Sequence, residues 1–128
     1  MVSRVTKRDK EIVRAWNQLQ LNWWAHEEVF DACHEKPRRA WRLLGYLADA
    51  AVNKELVGDL GAGPLEDFIR LHAPQFISPI EARARANRRF RRALTKAYLP
   101  KATDPVSLRL FRLGMIAIDT EKAKWQAG

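Results

Sequence analysis

Three side chains near residue 30 have the spacing that a metal site on a helix needs. Glu27, Asp31 and His34 follow one another at steps of four and three residues, which places two carboxylates and an imidazole on one helical face. The sequence has no His-Glu-x-x-His pairing and no second cluster that would complete the coordination of an ion. We therefore interpret this face as solvated and predict neither a metal nor another cofactor.

A second group of side chains could supply acid and base chemistry. Glu66 and Asp67 are adjacent, and His72 follows five positions after Asp67. Neighbouring helix positions point about 100° apart, so adjacency along the chain does not make a catalytic pair.

Cys33 is the single cysteine and is expected to be a small core residue near Phe30. We predict no catalytic residues and a protein that is not an enzyme.

Positive charge is concentrated in one part of the chain. The formal net charge is +8, and the segment from Glu81 to Lys101 holds eight cationic residues and one acidic residue. Such a segment attracts an acidic protein surface or a phosphate backbone, and it can also be a solvated face. The candidate binding residues are Arg83, Arg85, Arg88, Arg89, Arg92 and Lys96.

Residues 60–67, Leu-Gly-Ala-Gly-Pro-Leu-Glu-Asp, predict a sharp boundary between two helices. Gly61 and Gly63 can adopt the positive φ values that end a helix, and Pro64 suits the first position of the next one. Glu66 can reach back to the open amides of that new helix, where Asp67 also favours the positive end. We expect these five residues to have a structural role.

The other helix boundaries follow from caps and prolines. Starts are predicted at Thr6, where Asp9 makes an imperfect capping box, at Pro37, at Pro79 after the cap Ser78, and after Asn87 and Asp104; ends are predicted at Lys36 and Pro74. The apolar stripe of the first helix is expected to continue to Trp23 and to face the core. Because no stretch alternates with period two, the sequence predicts an all-α, compact single-domain bundle of about six to eight helices, several short and proline-initiated.

The final predicted helix, residues 104–128, is apolar around most of its circumference. Such a helix is central to the domain or forms a homodimer through residues 105–125. We treat residues 1–128 as a single helical domain in which this helix is an addition to the core. The sequence has no apolar run that could cross a bilayer, and a cytoplasmic location is expected.

Several segments resemble a bacterial family catalogued only as a domain of unknown function. They are residues 60–67, the Lys36-Pro37-Arg38-Arg39-Ala40-Trp41 segment, and the stretch from Phe76 to Leu94. The resemblance covers residues 14–98, with Lys36 standing where an acidic residue is usual. It implies an all-α domain of bacterial or phage origin with no assigned chemistry.

The sequence therefore favours a non-enzymatic interaction protein of the immunity, inhibitor or adaptor type, which binds a partner with an acidic surface. The alternative is a nucleic-acid-binding protein that uses residues 83–101, because guanidinium groups contact phosphates well.

Overall fold

The computed structural model describes residues 5–18 and 23–97, together with Arg109 and Arg112. The elements are α1 (Lys7–Trp16), α2 (Trp23–Glu35), α3 (Pro37–Ala50), α4 (Lys54–Leu60), a π-helical segment (Gly61–Leu65), α5 (Glu66–Ala86) and α6 (Arg88–Leu94). No strand occurs in these residues, which form six α-helices, so the prediction of an all-α bundle of about six to eight helices is confirmed. None of the described helices combines the length and the apolar character that a membrane span requires.

The start of α1 is the predicted capping box. The Thr6 hydroxyl accepts a hydrogen bond from the Asp9 amide at 3.1 Å, and the Asp9 carboxylate accepts one from the Thr6 amide at 3.0 Å. Asp9 is buried and also accepts a hydrogen bond from Arg42 Nε at 2.8 Å. The box therefore both starts α1 and attaches it to α3.

The first helix is shorter than its apolar stripe indicated. α1 ends at Trp16, and the Asn17 side chain donates to the Ala50 carbonyl oxygen at 3.0 Å, which fixes this end against α3. Trp23 instead begins α2 and is 68% exposed, so the prediction that it faces the core is wrong. Leu19 lies outside the described residues.

The boundary before α3 is as predicted. Lys36 has φ of −135°, outside the helical region, and Pro37 takes the first helical position. The inner face of α3 contributes much of the core through Ala40, Leu43, Leu44, Leu47 and Ala48, all buried.

Residues 60–67 do not form a boundary between two helices, so that prediction is wrong. Residues 54–86 are helical throughout, with the π-helical segment between α4 and α5. Gly61 has φ of −66° and ψ of −45°, and Gly63 also lacks a positive φ. A π turn skips one α-helical hydrogen bond, and Pro64, which has no N–H to donate, lies within it.

Gly61 is needed for a close approach between helices. A Cβ atom on Gly61 would lie 2.7 Å from the carbonyl carbon of Ala93 in α6, closer than two carbon atoms pack. Because the helix continues into α5 without an end, the new helix start at which Glu66 was predicted to act does not exist. The Glu66 carboxylate lies 3.6 Å from the Arg70 guanidinium one turn later.

α5 continues through both prolines at which a break was predicted. Pro74 and Pro79 lie inside its 21 residues, so the expected end at Pro74 and start at Pro79 are wrong. An interior proline costs a helix about 3 kcal/mol. Buried side chains on both sides of the two prolines offset that cost, namely Phe68, Ile69, Ala73, Ile80 and Ala84.

α6 packs its buried residues against the centre of the core. Asn87 caps it as predicted, since its side chain accepts a hydrogen bond from the Phe90 amide at 2.9 Å. The fully buried Phe90 ring meets Trp41 edge-on at 5.6 Å, and Phe68 stacks on Trp41 at 5.8 Å. The predicted helix 104–128 and the dimer contact through 105–125 lie outside the described residues, apart from Arg109 and Arg112.

Candidate macromolecule-binding surface

The predicted basic segment covers the end of α5 and all of α6. These helices meet at Asn87, whose side-chain amide donates to the Asp49 carboxylate at 2.6 Å. The last turns of α5 and the whole of α6 are therefore held beside the carboxyl end of α3. The six candidate residues occupy different environments within this arrangement, and only some of them are available to a partner.

Arg83 is an internal residue. Its guanidinium carbon lies 3.7 Å from the centre of the Trp41 ring, and Nη1 donates to the Trp41 carbonyl oxygen at 2.9 Å. A Cβ atom on Gly45 would lie 2.7 Å from the same guanidinium, so the glycine provides the space. Burial lowers the pKa of Arg83, and nearby Asp49 partly opposes that effect.

The Arg89 and Arg91 side chains donate hydrogen bonds to carbonyl oxygens near the ends of helices. Arg89 Nη1 donates to the carbonyl oxygens of Asp49 at 3.0 Å and Ala51 at 2.8 Å, at the end of α3. Arg91 Nη1 donates to the Ala84 carbonyl oxygen at 3.1 Å, near the end of α5. Terminal carbonyls of a helix have no partner within the helix and carry partial negative charge, so both arginines stabilise the fold.

The remaining candidates, Arg85, Arg88, Arg92 and Lys96, form what we call the basic surface. Arg88, Arg92 and Lys96 are spaced by four residues and share one side of α6 and the turn after it, opposite the buried Phe90. Arg88 and Lys96 are exposed, and no carboxylate of the described residues lies within ion-pair distance of either. Arg92 is half-buried.

Arg85 differs from Arg88 and Lys96 because a carboxylate is within reach. Its side chain is 74% exposed, and its guanidinium lies 4.0 Å from Glu81 one turn earlier. Glu81 is mostly buried and pairs more closely with Arg109, whose Nε lies 2.6 Å from Oε1. Since Arg109 is the nearer cation to Glu81, Arg85 stays open to an incoming anionic group.

The structure brings neither of the two sets of side chains considered for chemistry together as a whole. Glu27 and Asp31 line a surface pocket, whereas His34 lies 4.0 Å from Asp67. His72 Nε2 lies 2.7 Å from the Cys33 carbonyl oxygen. Within the described part of the chain, no three ligating side chains are placed to hold a metal ion.

Cys33 is a core residue, as its position beside Phe30 indicated. Its thiol is fully buried and lies 3.6 Å from the Pro64 carbonyl oxygen. Burial, with a smaller contribution from the charge of Asp67, raises the pKa of Cys33 to about 12. A thiol that ionises so reluctantly is a poor nucleophile near neutral pH.

Comparison with family models gives a match over most of the chain. A model described as a family of unknown function (DUF6869) matches residues 14–114. This range starts where the resemblance drawn from the sequence starts and extends beyond its end at residue 98. No curated protein and no solved structure matches the chain significantly.

Proposed function

Since the chain belongs to a family of unknown function (DUF6869), we propose from its surface chemistry that it is a non-enzymatic interaction protein. In this proposal the basic surface of Arg85, Arg88, Arg92 and Lys96 binds an acidic surface of a partner protein. The observation that carries it is the division of the cationic segment into two sets. Arg83, Arg89 and Arg91 bind the protein's own rings and carbonyls, while Arg85, Arg88 and Lys96 project outward.

A protein partner is favoured over a nucleic acid by the aromatic residues of this region. Single-stranded nucleic acid is held by bases that stack on exposed rings as well as by phosphate contacts. Phe90, the aromatic residue within α6, is fully buried beneath the arginines. Tyr98, the other ring considered for stacking, lies outside the described residues.

The biological setting is part of the same proposal. A small helical domain with an exposed basic surface suits the immunity, inhibitor or adaptor proteins of bacteria and phages, which act in the cytoplasm by occupying another protein. Such proteins need no catalytic residues, and electrostatic complementarity gives them specificity and rapid association.

The test compares two triple variants of equal charge. Arg85→Ala/Arg88→Ala/Lys96→Ala removes three outward cations from the basic surface, and Lys7→Ala/Lys10→Ala/Arg14→Ala removes three exposed cations from α1. Fluorescence anisotropy measures binding of each protein to labelled polyglutamate, to a DNA duplex and to a single strand, at low and high salt.

We expect the basic-surface variant to bind polyglutamate about tenfold more weakly, because each exposed contact contributes roughly 0.5 kcal/mol. Binding by the α1 variant should hardly change. Equal losses in both variants would mean that net charge alone drives binding and would refute the proposal. Tighter binding to DNA than to polyglutamate, lost only in the basic-surface variant, would support the nucleic-acid alternative instead.

A further inference from the structure

α2 carries a pocket that lies apart from the basic surface. Its volume is about 330 Å³, and five residues of α2 line it: Trp23, His26, Glu27, Phe30 and Asp31. We call it the α2 pocket. Positions 23, 27, 30 and 31 recur at steps of three and four residues, so one face of a single helix brings their side chains together.

The indole of Trp23 is both exposed and fixed in position. It stacks on the His26 ring with centroids 5.2 Å apart and an interplanar angle of 11°. His26 stacks in turn on the buried Trp16, at 3.9 Å. Burial lowers the pKa of His26, with a weaker opposing effect from Asp59, and so favours the neutral imidazole in this stack.

The charge of the pocket is therefore negative. Glu27 and Asp31 are exposed, and no cationic side chain of the described residues lies within ion-pair distance of either. This sets them apart from Glu28 on the same helix, which pairs with Arg8 at 2.7 Å and with Arg39 at 2.9 Å.

The same helix shows what such a site binds. Trp24 and Glu28 are four residues apart, and Arg8 contacts both side chains. Its guanidinium carbon lies 4.7 Å from the centre of the Trp24 ring, and two of its nitrogens donate to the Glu28 carboxylate. Trp23 and Glu27 repeat this pair one residue earlier. The repeated pair has no arginine among the described residues, and it has a second carboxylate, Asp31, one turn further.

We propose that the α2 pocket binds an arginine side chain presented by a partner protein. The guanidinium would stack on the Trp23 ring and donate hydrogen bonds to Glu27 and Asp31, as that of Arg8 does on Trp24 and Glu28. Arginine suits the site better than lysine because its planar group can stack and bind a carboxylate at the same time. This inference does not depend on the proposed role of the basic surface, which has the opposite charge.

The test is a titration followed by the indole N–H signals of the full chain in NMR spectra. The Trp23 signal is assigned with the Trp23→Phe variant. The probes are N-acetyl-arginine amide, its neutral isostere N-acetyl-citrulline amide, and N-acetyl-lysine amide, all at matched ionic strength. We expect a saturable shift of the Trp23 signal with the arginine probe, and binding at least about fivefold weaker for the other two.

Variants then locate the site. Glu27→Gln should weaken arginine binding at least about threefold, and Glu27→Gln/Asp31→Asn at least about tenfold. Glu35→Gln is the matched control, because Glu35 is an exposed carboxylate on the same helix that does not line the α2 pocket. Circular dichroism checks that each variant is folded.

Three results would overturn the proposal. One is the absence of a saturable Trp23 shift with the arginine probe, and another is equal binding of the citrulline or lysine probe. The third is a self-associated protein in sedimentation equilibrium that Glu27→Gln converts to monomer, because the arginine donor would then be a second copy of this chain.

Discussion

Replacing Gly61 by alanine should destabilise the protein, although the substitution is made in a helix. At φ of −66° and ψ of −45°, alanine fits the backbone and would by propensity alone add up to about 1 kcal/mol of stability. The new Cβ, however, would lie 2.7 Å from the carbonyl carbon of Ala93 and 3.1 Å from its Cα. These are backbone atoms, so the overlap can be relieved only by moving α6 away from the π-helical segment.

The magnitude follows from these two opposing effects. Overpacking against a rigid neighbour costs typically about 1–3 kcal/mol and occasionally more. Moving α6 also disturbs the packing of Phe90, which is fully buried against Trp41. The overpacking therefore exceeds the propensity gain, and we expect Gly61→Ala to lower the free energy of unfolding by about 2 kcal/mol.

Gly58→Ala is the matched control, one turn earlier in the same helical run. A Cβ atom on Gly58 would meet the Lys96 Cγ at 3.7 Å, an ordinary contact with a flexible side chain. Only the propensity effect remains there, so this variant should gain roughly 0.5–1 kcal/mol. Urea unfolding followed by circular dichroism measures both variants, and a Gly61→Ala protein as stable as Gly58→Ala would refute the close approach of α6.

Two further predictions concern ionisable groups. Burial opposes the ionisation of Asp9, but hydrogen bonds from Arg42 and Thr6 outweigh that effect and lower the pKa of Asp9 below its ordinary value of 3.8. The charge of Asp9 therefore stabilises the fold fully above about pH 4. This stabilisation is lost as the pH falls through the lower pKa of the folded state. Asp9→Asn should thus cost about 1–3 kcal/mol at pH 7 and progressively less below pH 4 in urea unfolding; a pH-independent difference would contradict this account. The buried Cys33, with its pKa raised to about 12, should react with a thiol reagent at pH 8 only after unfolding, and rapid reaction of the folded protein would show that the thiol is accessible.

Local signals in the sequence predicted those features that depend on a few adjacent residues. The Thr6 and Asp9 box, the break before Pro37 and the Asn87 cap all use hydrogen bonds or steric limits within about four positions. These effects operate in any surroundings, so the sequence is sufficient to find them.

The features that the sequence did not predict depend on distant partners. Pro74 and Pro79 remain inside α5 because buried residues on both sides offset the lost hydrogen bonds, and burial is not a local property. The sequence alone favours a helix end at Gly61, since glycine serves both turns and close packing and only the position of α6 distinguishes the two roles.

The candidate binding residues show the same limit. The charge of the segment was evident, but Arg83 and Arg89 contact Trp41 and Ala51, about 40 positions away, and the sequence gives no sign of those contacts. Trp23 and Glu27 repeat the spacing of Trp24 and Glu28, but only the position of Arg8 over the Trp24 ring shows what that spacing can bind.

The position of Trp41 favours cooperative folding of the helices that surround it. Its ring is covered by Phe68 and Arg83 from α5 and by Phe90 from α6, and the segments that cover it are distant in sequence. A partly folded chain with α1 to α4 formed would leave the indole in water and the Arg83 guanidinium without its stacking partner. Intermediates of that kind gain little free energy, so the chain is expected to fold and unfold in a single all-or-none step.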